Sequence, residues 1–158
     1  MSLLLPMATN RYFAQAFDTF KAFDNLTVAS SSAEQEAFPA SIWQILHHLL
    51  AWQTHQLAQL RGTVLTEAFD EKRSWSTARV PPSETALQAA VTEFQHQLVE
   101  LQDHAQQLSG EGSEVVEQAL VLQAVALHLS FHLGEVVLIR RLQGTYPLPE
   151  QMAAFLPK

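Results

Sequence analysis

The sequence predicts an all-α protein, a bundle of four long helices in one domain spanning residues 1–158. Three observations carry this. Four stretches place apolar residues at helical spacing, and almost nothing alternates as a half-buried strand would. A connection of about 20 residues divides the middle of the chain, which is long for an antiparallel turn.

The first helix is expected over residues 8–25, where Phe13, Phe17, Phe20 and Phe23 step by four, three and three onto one face. The stretch Asn25 to Pro39 is rich in Ser, Thr and Ala and reads as a loop. The second helix is expected over 41–61. Ser41 and Gln44 fit a capping box, and Ile42, Ile45, Leu46, Leu49, Trp52 and Leu57 form its apolar face. Gly62 is the expected terminator.

The crossover from Gly62 to Pro82 holds Asp70, Glu71, Lys72, Arg73, Trp75 and the pair Pro81-Pro82. It is long enough to run the length of a bundle and start the next helix parallel to the last. Trp75 is a candidate cover for the end of the bundle.

The third helix, 83–109, follows Ser83 as N-cap. Its stripe of Leu87, Val91, Phe94, Leu98, Leu101, Ala105 and Leu108 is an unbroken heptad pattern and demands a helical partner. The fourth, 113–143, is apolar nearly all round, so it is either central or also supplies a dimer interface. Gly134 inside it suggests close helix approach, since glycine there costs about 1 kcal/mol. The tail from Tyr146 is expected to pack outside.

Composition excludes several functions. There is no cysteine, so no disulfide, thiolate metal site or cysteine nucleophile. Sixteen acidic residues against nine basic give a net charge of −7, which argues against nucleic acid and against an anionic membrane surface. The segment Ala119 to Ile139 could span a bilayer by length. It carries Gln123, His128, His132 and Glu135, so a buried helix is the better reading. The N-terminus has no basic n-region, and a cytoplasmic protein is expected.

Of the seven histidines, His96 and His104 lie off the heptad stripe and are expected to face solvent. His128 and His132 share one helical face, the spacing of helical metal ligands. The other reading is a pair of buried histidines satisfied by hydrogen bonds. His48, mid-helix in an equally apolar segment, fits as a third ligand. Three neutral imidazoles would leave a coordination position open, as catalytic sites do. Zinc suits such a set best; nickel and iron also suit imidazole.

The segment Trp43 to Trp52, together with His128 to Gly144, resembles the DinB/YfiT-like metalloenzyme family. His48 matches the histidine of the family's W-x-x-x-x-H-L-x-x-W pattern. His128, His132 and Gly134 match its H-x-x-x-H-x-G pattern. The resemblance implies an up-down-down-up four-helix bundle with a divalent metal on three histidines. It also implies a small-molecule substrate, thiol-dependent transfer with a low-molecular-weight thiol, or maleylpyruvate isomerase-type chemistry, and a homodimer.

The family's usual Gln is Glu135 here, on the face of His132 by spacing. It is a candidate base, a candidate orienting carboxylate, or a plain surface residue. His55, seven residues after His48, is a candidate for the pocket entrance, and Trp52 for core or pocket wall. Arg140 and Arg141 are candidates for anion binding, although cations favour a helix's last turn anyway. The leading expectation is a metal-dependent transferase or hydrolase. The alternatives are a non-catalytic, stress-associated, dimeric metal-binding bundle, and a bundle whose histidines are purely structural.

Overall fold

The computed structural model describes residues 12–32 and 38–156. The helices are α1 (Val28–Ser31), α2 (Ile42–Leu60), α3 (Glu71–Ser74), α4 (Glu84–Gln107), α5 (Ser113–Leu142) and α6 (Met152–Phe155), with a 3-10 turn at Pro149–Gln151 before the last. Among the described residues there is no strand. The architecture is all-α, built on the three long helices α2, α4 and α5.

Side-chain caps set the start of α2 and α4, whereas α5 follows Gly112 with no side-chain cap. Ser41 accepts from the backbone N–H of Gln44, whose side chain returns to the Ser41 N–H; this closed capping box fixes the start of α2. Ser83 accepts from the Ala86 N–H at the start of α4. Gly62, at φ +70°, ends α2 in a conformation that a side chain would strain.

The heptad stripe of α4 is buried at all seven positions, from Leu87 through Leu108. It packs with Ile45, Leu46 and Leu49 of α2 and with Leu122, Leu129 and Val136 of α5 in one core. Each of these side chains contributes about 1.5–3 kcal/mol through the apolar surface it removes from water.

Contacts between the helices have a clear register. Gln97 Nε2 donates to Thr54 Oγ1, and Arg61 pairs with Glu100, so positions rise together along α2 and α4. His48 meets His128 and His132, while Gln59 to Gly62 lie beside Glu114 to Val121, so positions run oppositely along α2 and α5.

The expected first helix is a correction. Its start, residues 8–11, lies outside the described residues; from residue 14 to 25 the chain forms turns. Phe20, Lys21 and Asn25 have positive φ, which no right-handed helix accommodates. The carbonyls a helix would use internally are taken by distant side chains. Arg140 Nη1 donates to the carbonyls of Ala22 and Lys21, and the Tyr146 hydroxyl donates to that of Phe20. Phe17 and Phe23 still reach the core, but from turns. Part of the expected 25–39 loop, residues 33–37, also lies outside the described residues, and the loop contains the one-turn helix α1.

One expectation about α5 changes, and of the two readings offered for its apolar surface the fully central one falls. A Cβ added at Gly134 would meet nothing within 4 Å, so no close approach within the chain explains that glycine. Nor is α5 enclosed on every side: Val116, Leu120, Leu127, Phe131, Leu138 and Leu142 are 57–66% exposed. By length and composition α5 is apolar enough to cross a membrane, with 39% of its most apolar window buried against the rest of the protein.

Candidate metal centre

α2 and α5 bring three imidazoles together beside the core. His48 and His132 are buried and His128 is half-buried. One ring nitrogen of each lies within 4.8 Å of the other two. The ring centroids stand 4.9 Å apart for His48 and His128, 4.9 Å for His48 and His132, and 4.6 Å for His128 and His132. The four-residue step on α5 puts His128 and His132 on one face, and the antiparallel register of α2 sets His48 against them.

The hydrogen bonds fix which nitrogens are free. Nδ1 of His48 is 2.6 Å from Ser74 Oγ, and that hydroxyl donates to the backbone carbonyl of Glu71 at 2.6 Å. The hydroxyl proton is therefore committed, His48 Nδ1 is the donor, and Nε2 keeps its lone pair. Nδ1 of His132 is 2.6 Å from Glu135 Oε2, a carboxylate that only accepts, so Nε2 of His132 is free as well. Nε2 of His48 and Nε2 of His128 are 3.0 Å apart. Two nitrogens bound to one zinc at about 2.0–2.1 Å are separated by about 2.9–3.4 Å at angles from square to tetrahedral.

Electrostatics favour the neutral form that a metal needs. Burial, and then the neighbouring His132, push the pKa of His48 down to about 4; nearby Glu71 opposes this. Burial and then His132 and His48 do the same for His128, also to about 4. At neutral pH both rings are uncharged ligands. The donor set, the free Nε2 atoms and their spacing fit a divalent ion.

The crossover supplies residues that sequence reasoning missed. Glu71 and Ser74 belong to α3, whose N-cap Asp70 accepts from the Arg73 N–H. Glu71 Oε2 accepts from the Trp52 indole N–H at 3.0 Å, while Oε1 stands 3.7 Å from His48 Nε2. Trp75 stacks on His48 at 4.0 Å with the rings 11° from parallel, so it covers this site rather than merely the bundle's end. No periodicity marks Glu71 or Ser74 in the sequence; the only signal was the length of the crossover.

The remaining candidates fall as follows. Trp52 packs on His128 at 4.7 Å and on Phe69 of the crossover. His55 also meets Phe69, 5.0 Å between centroids, and so sits beside the crossover, one step removed from the three histidines. Arg140 is buried and bonded to backbone carbonyls, and Arg141 Nε donates to the Pro147 carbonyl. Those contacts hold the chain ends onto α5. His96 is exposed, and His104 is half-buried beside Glu100. A narrow cleft beside His128, lined by Leu49, Trp52, Gln53, Gln56, Val125 and Leu129, admits no water-sized sphere.

Fold and site together define a helical bundle carrying a three-histidine group that could hold a metal ion. The family model of the DinB superfamily matches residues 14–136, a span that contains all three histidines and Glu135. The chain belongs to the DinB superfamily. No curated protein and no solved structure matches it significantly.

Proposed function

We propose that this protein is a divalent-metal-dependent enzyme acting on a small molecule, with His48, His128 and His132 as the protein ligands. One observation carries the reading: three imidazoles converge, and in His48 and His132 one nitrogen is engaged by oxygen, which leaves the other to bind. Zinc is the first choice and nickel or iron the next. When bound, the ion supplies a charge that activates water or a thiol or polarises a carbonyl. The chain itself orients the ligands. Ser74 holds the ring of His48, Glu135 holds that of His132, and Trp52 and Trp75 wall the site with aromatic surface. With no cysteine in the chain, a thiol reaction needs a low-molecular-weight thiol cosubstrate. The same reading puts the protein in the cytoplasm, where such thiols are kept reduced.

A second reading is a metal-binding bundle without turnover. The engagement of Glu135 by His132 and the place of His55 one step from the site, which leave few groups for proton transfer, favour it. Metal analysis of protein prepared without a polyhistidine tag tests both. Close to one equivalent per chain is expected, with His48→Ala lowering affinity strongly and His96→Ala leaving it unchanged. Less than a tenth of an equivalent, with no binding on titration, would sink both readings. Turnover in a screen of small thiols and electrophiles would then separate enzyme from binding module.

We further read the three long helices as a down-down-up order, α2 and α4 parallel and α5 antiparallel to both, on the rising and falling registers given above. The partner we propose is a second copy of the chain, docked on the exposed stripe of α5. The stripe is self-complementary when two copies of α5 pair antiparallel about the level of Leu129. Val116 then faces Leu142, Leu120 faces Leu138, Leu127 faces Phe131, and the small Ala124 faces Gly134. Glu117 falls opposite Arg141, so the charges at the ends are complementary too. A twofold interface requires such self-complementarity.

A further inference from the structure

We propose that Glu71 is the fourth, exchangeable ligand of the metal, with its Oε1 closing the side that the three imidazoles leave open. This rests on the three-histidine reading above. Four observations support it.

The first is an unexplained approach. Glu71 Oε1 stands 3.7 Å from His48 Nε2, too far for a hydrogen bond. His48 Nε2 holds a lone pair, because its Nδ1 carries the proton donated to Ser74. Two acceptors thus face one another with no proton between them. Ligand atoms at about 2.0–2.2 Å from a tetrahedral zinc stand about 3.3–3.6 Å apart. The 3.7 Å separation lies just beyond that, and no Glu71 oxygen is within 4.8 Å of all three ring nitrogens, so the carboxylate moves inward to join them.

The second is aim. The Trp52 indole N–H engages Oε2 at 3.0 Å, which leaves Oε1 as the oxygen that approaches His48. Trp52 itself packs on His128, so the same side chain touches a ligand and steers the carboxylate. The third is register. Ser74 Oγ accepts from His48 and donates to the Glu71 carbonyl, so one hydroxyl ties the backbone of Glu71 to the ring beside it.

The fourth is charge and access. Three neutral imidazoles leave the full charge of a divalent ion uncompensated, and one carboxylate halves it. The Glu71 side chain is 61% exposed and sits in a one-turn helix of the crossover, so an incoming anionic ligand can displace it without unfolding the bundle. Glu71 would thereby favour anionic competitors, such as a thiolate, for its own position.

Cobalt(II) titration followed by visible absorption tests this in the full chain. Wild type is expected to bind one Co²⁺ with the intense bands of a four-coordinate site. Glu71→Ala is expected to lower Co²⁺ affinity by about tenfold or more and to change the band pattern, the loss at least as large as for an outer partner of a ligand. Glu71→Gln, which keeps an acceptor for Trp52, is expected to shift in the same direction. Both variants should fold, as the side chain is exposed, and unchanged far-ultraviolet circular dichroism checks this. Identical affinity and spectrum in wild type and Glu71→Ala, with binding lost in His48→Ala, would overturn the role of Glu71 and leave the three-histidine site standing. No Co²⁺ binding by wild type would overturn both.

Discussion

Glu135 Oε2 accepts a hydrogen bond from Nδ1 of His132 at 2.6 Å, which leaves Nε2 as the nitrogen of that ring able to bind a metal. A carboxylate there fixes the ring's orientation and tautomer and raises its basicity as a ligand. It is poorly placed to take a proton from anything bound at Nε2. Glu135→Ala should therefore weaken metal binding by about 10–100-fold. Glu135→Gln keeps an acceptor oxygen and should recover most of that loss. Isothermal titration with zinc of the two variants checks this. A Glu135→Gln variant with normal affinity but no turnover would instead make Glu135 the base.

The metal-free protein should lose stability as pH falls from 7 toward 5. The sign follows from proton counting. His48 and His128 hold pKa values near 4 when folded, whereas an unfolded histidine titrates near 6.5. Between those values the unfolded chain binds more protons, so acid favours unfolding. The loss begins near pH 6.5 and ends near pH 4; above it these groups contribute no slope. Urea midpoints at pH 7, 6 and 5 read the effect. A midpoint that stays flat from pH 7 to 5 contradicts the lowered values, and His128→Gln should flatten the slope while His96→Gln should not.

The chain should be a dimer in solution through α5. Leu127→Glu paired with Phe131→Lys would place unlike charges across the twofold, whereas Leu127→Glu with Phe131→Glu would place like ones. The second variant is expected to be a monomer by light scattering and the first to retain some dimer. A wild-type monomer at micromolar concentration would reject this pairing. Partition into detergent or vesicles in place of dimerisation would assign the stripe to a membrane surface.

Much of this protein is legible in its sequence because the signals are local. The capping box at Ser41 and Gln44 and the heptad stripe of α4 each depend on residues within a few positions of one another, and both are observed. The four-residue step from His128 to His132 is of the same kind, and family pattern singled out His48. Sequence alone therefore determined the three long helices and named the three histidines that converge.

Tertiary structure decided the rest. The phenylalanine pattern of residues 13–23 is helical by spacing, yet the chain turns there, because Arg140 and Tyr146 reach it from 118 and 126 residues away and take its carbonyls. Ser74 meets His48 across 26 residues, and Glu71 sits beside it through a crossover with no periodicity. The open face of α5 was equally hidden, since a helix apolar all round does not say which side its own chain will cover. Hydrophobic periodicity specifies a helix and its faces. Which distant side chain satisfies a given carbonyl, ring nitrogen or exposed leucine depends on contacts that leave no local pattern.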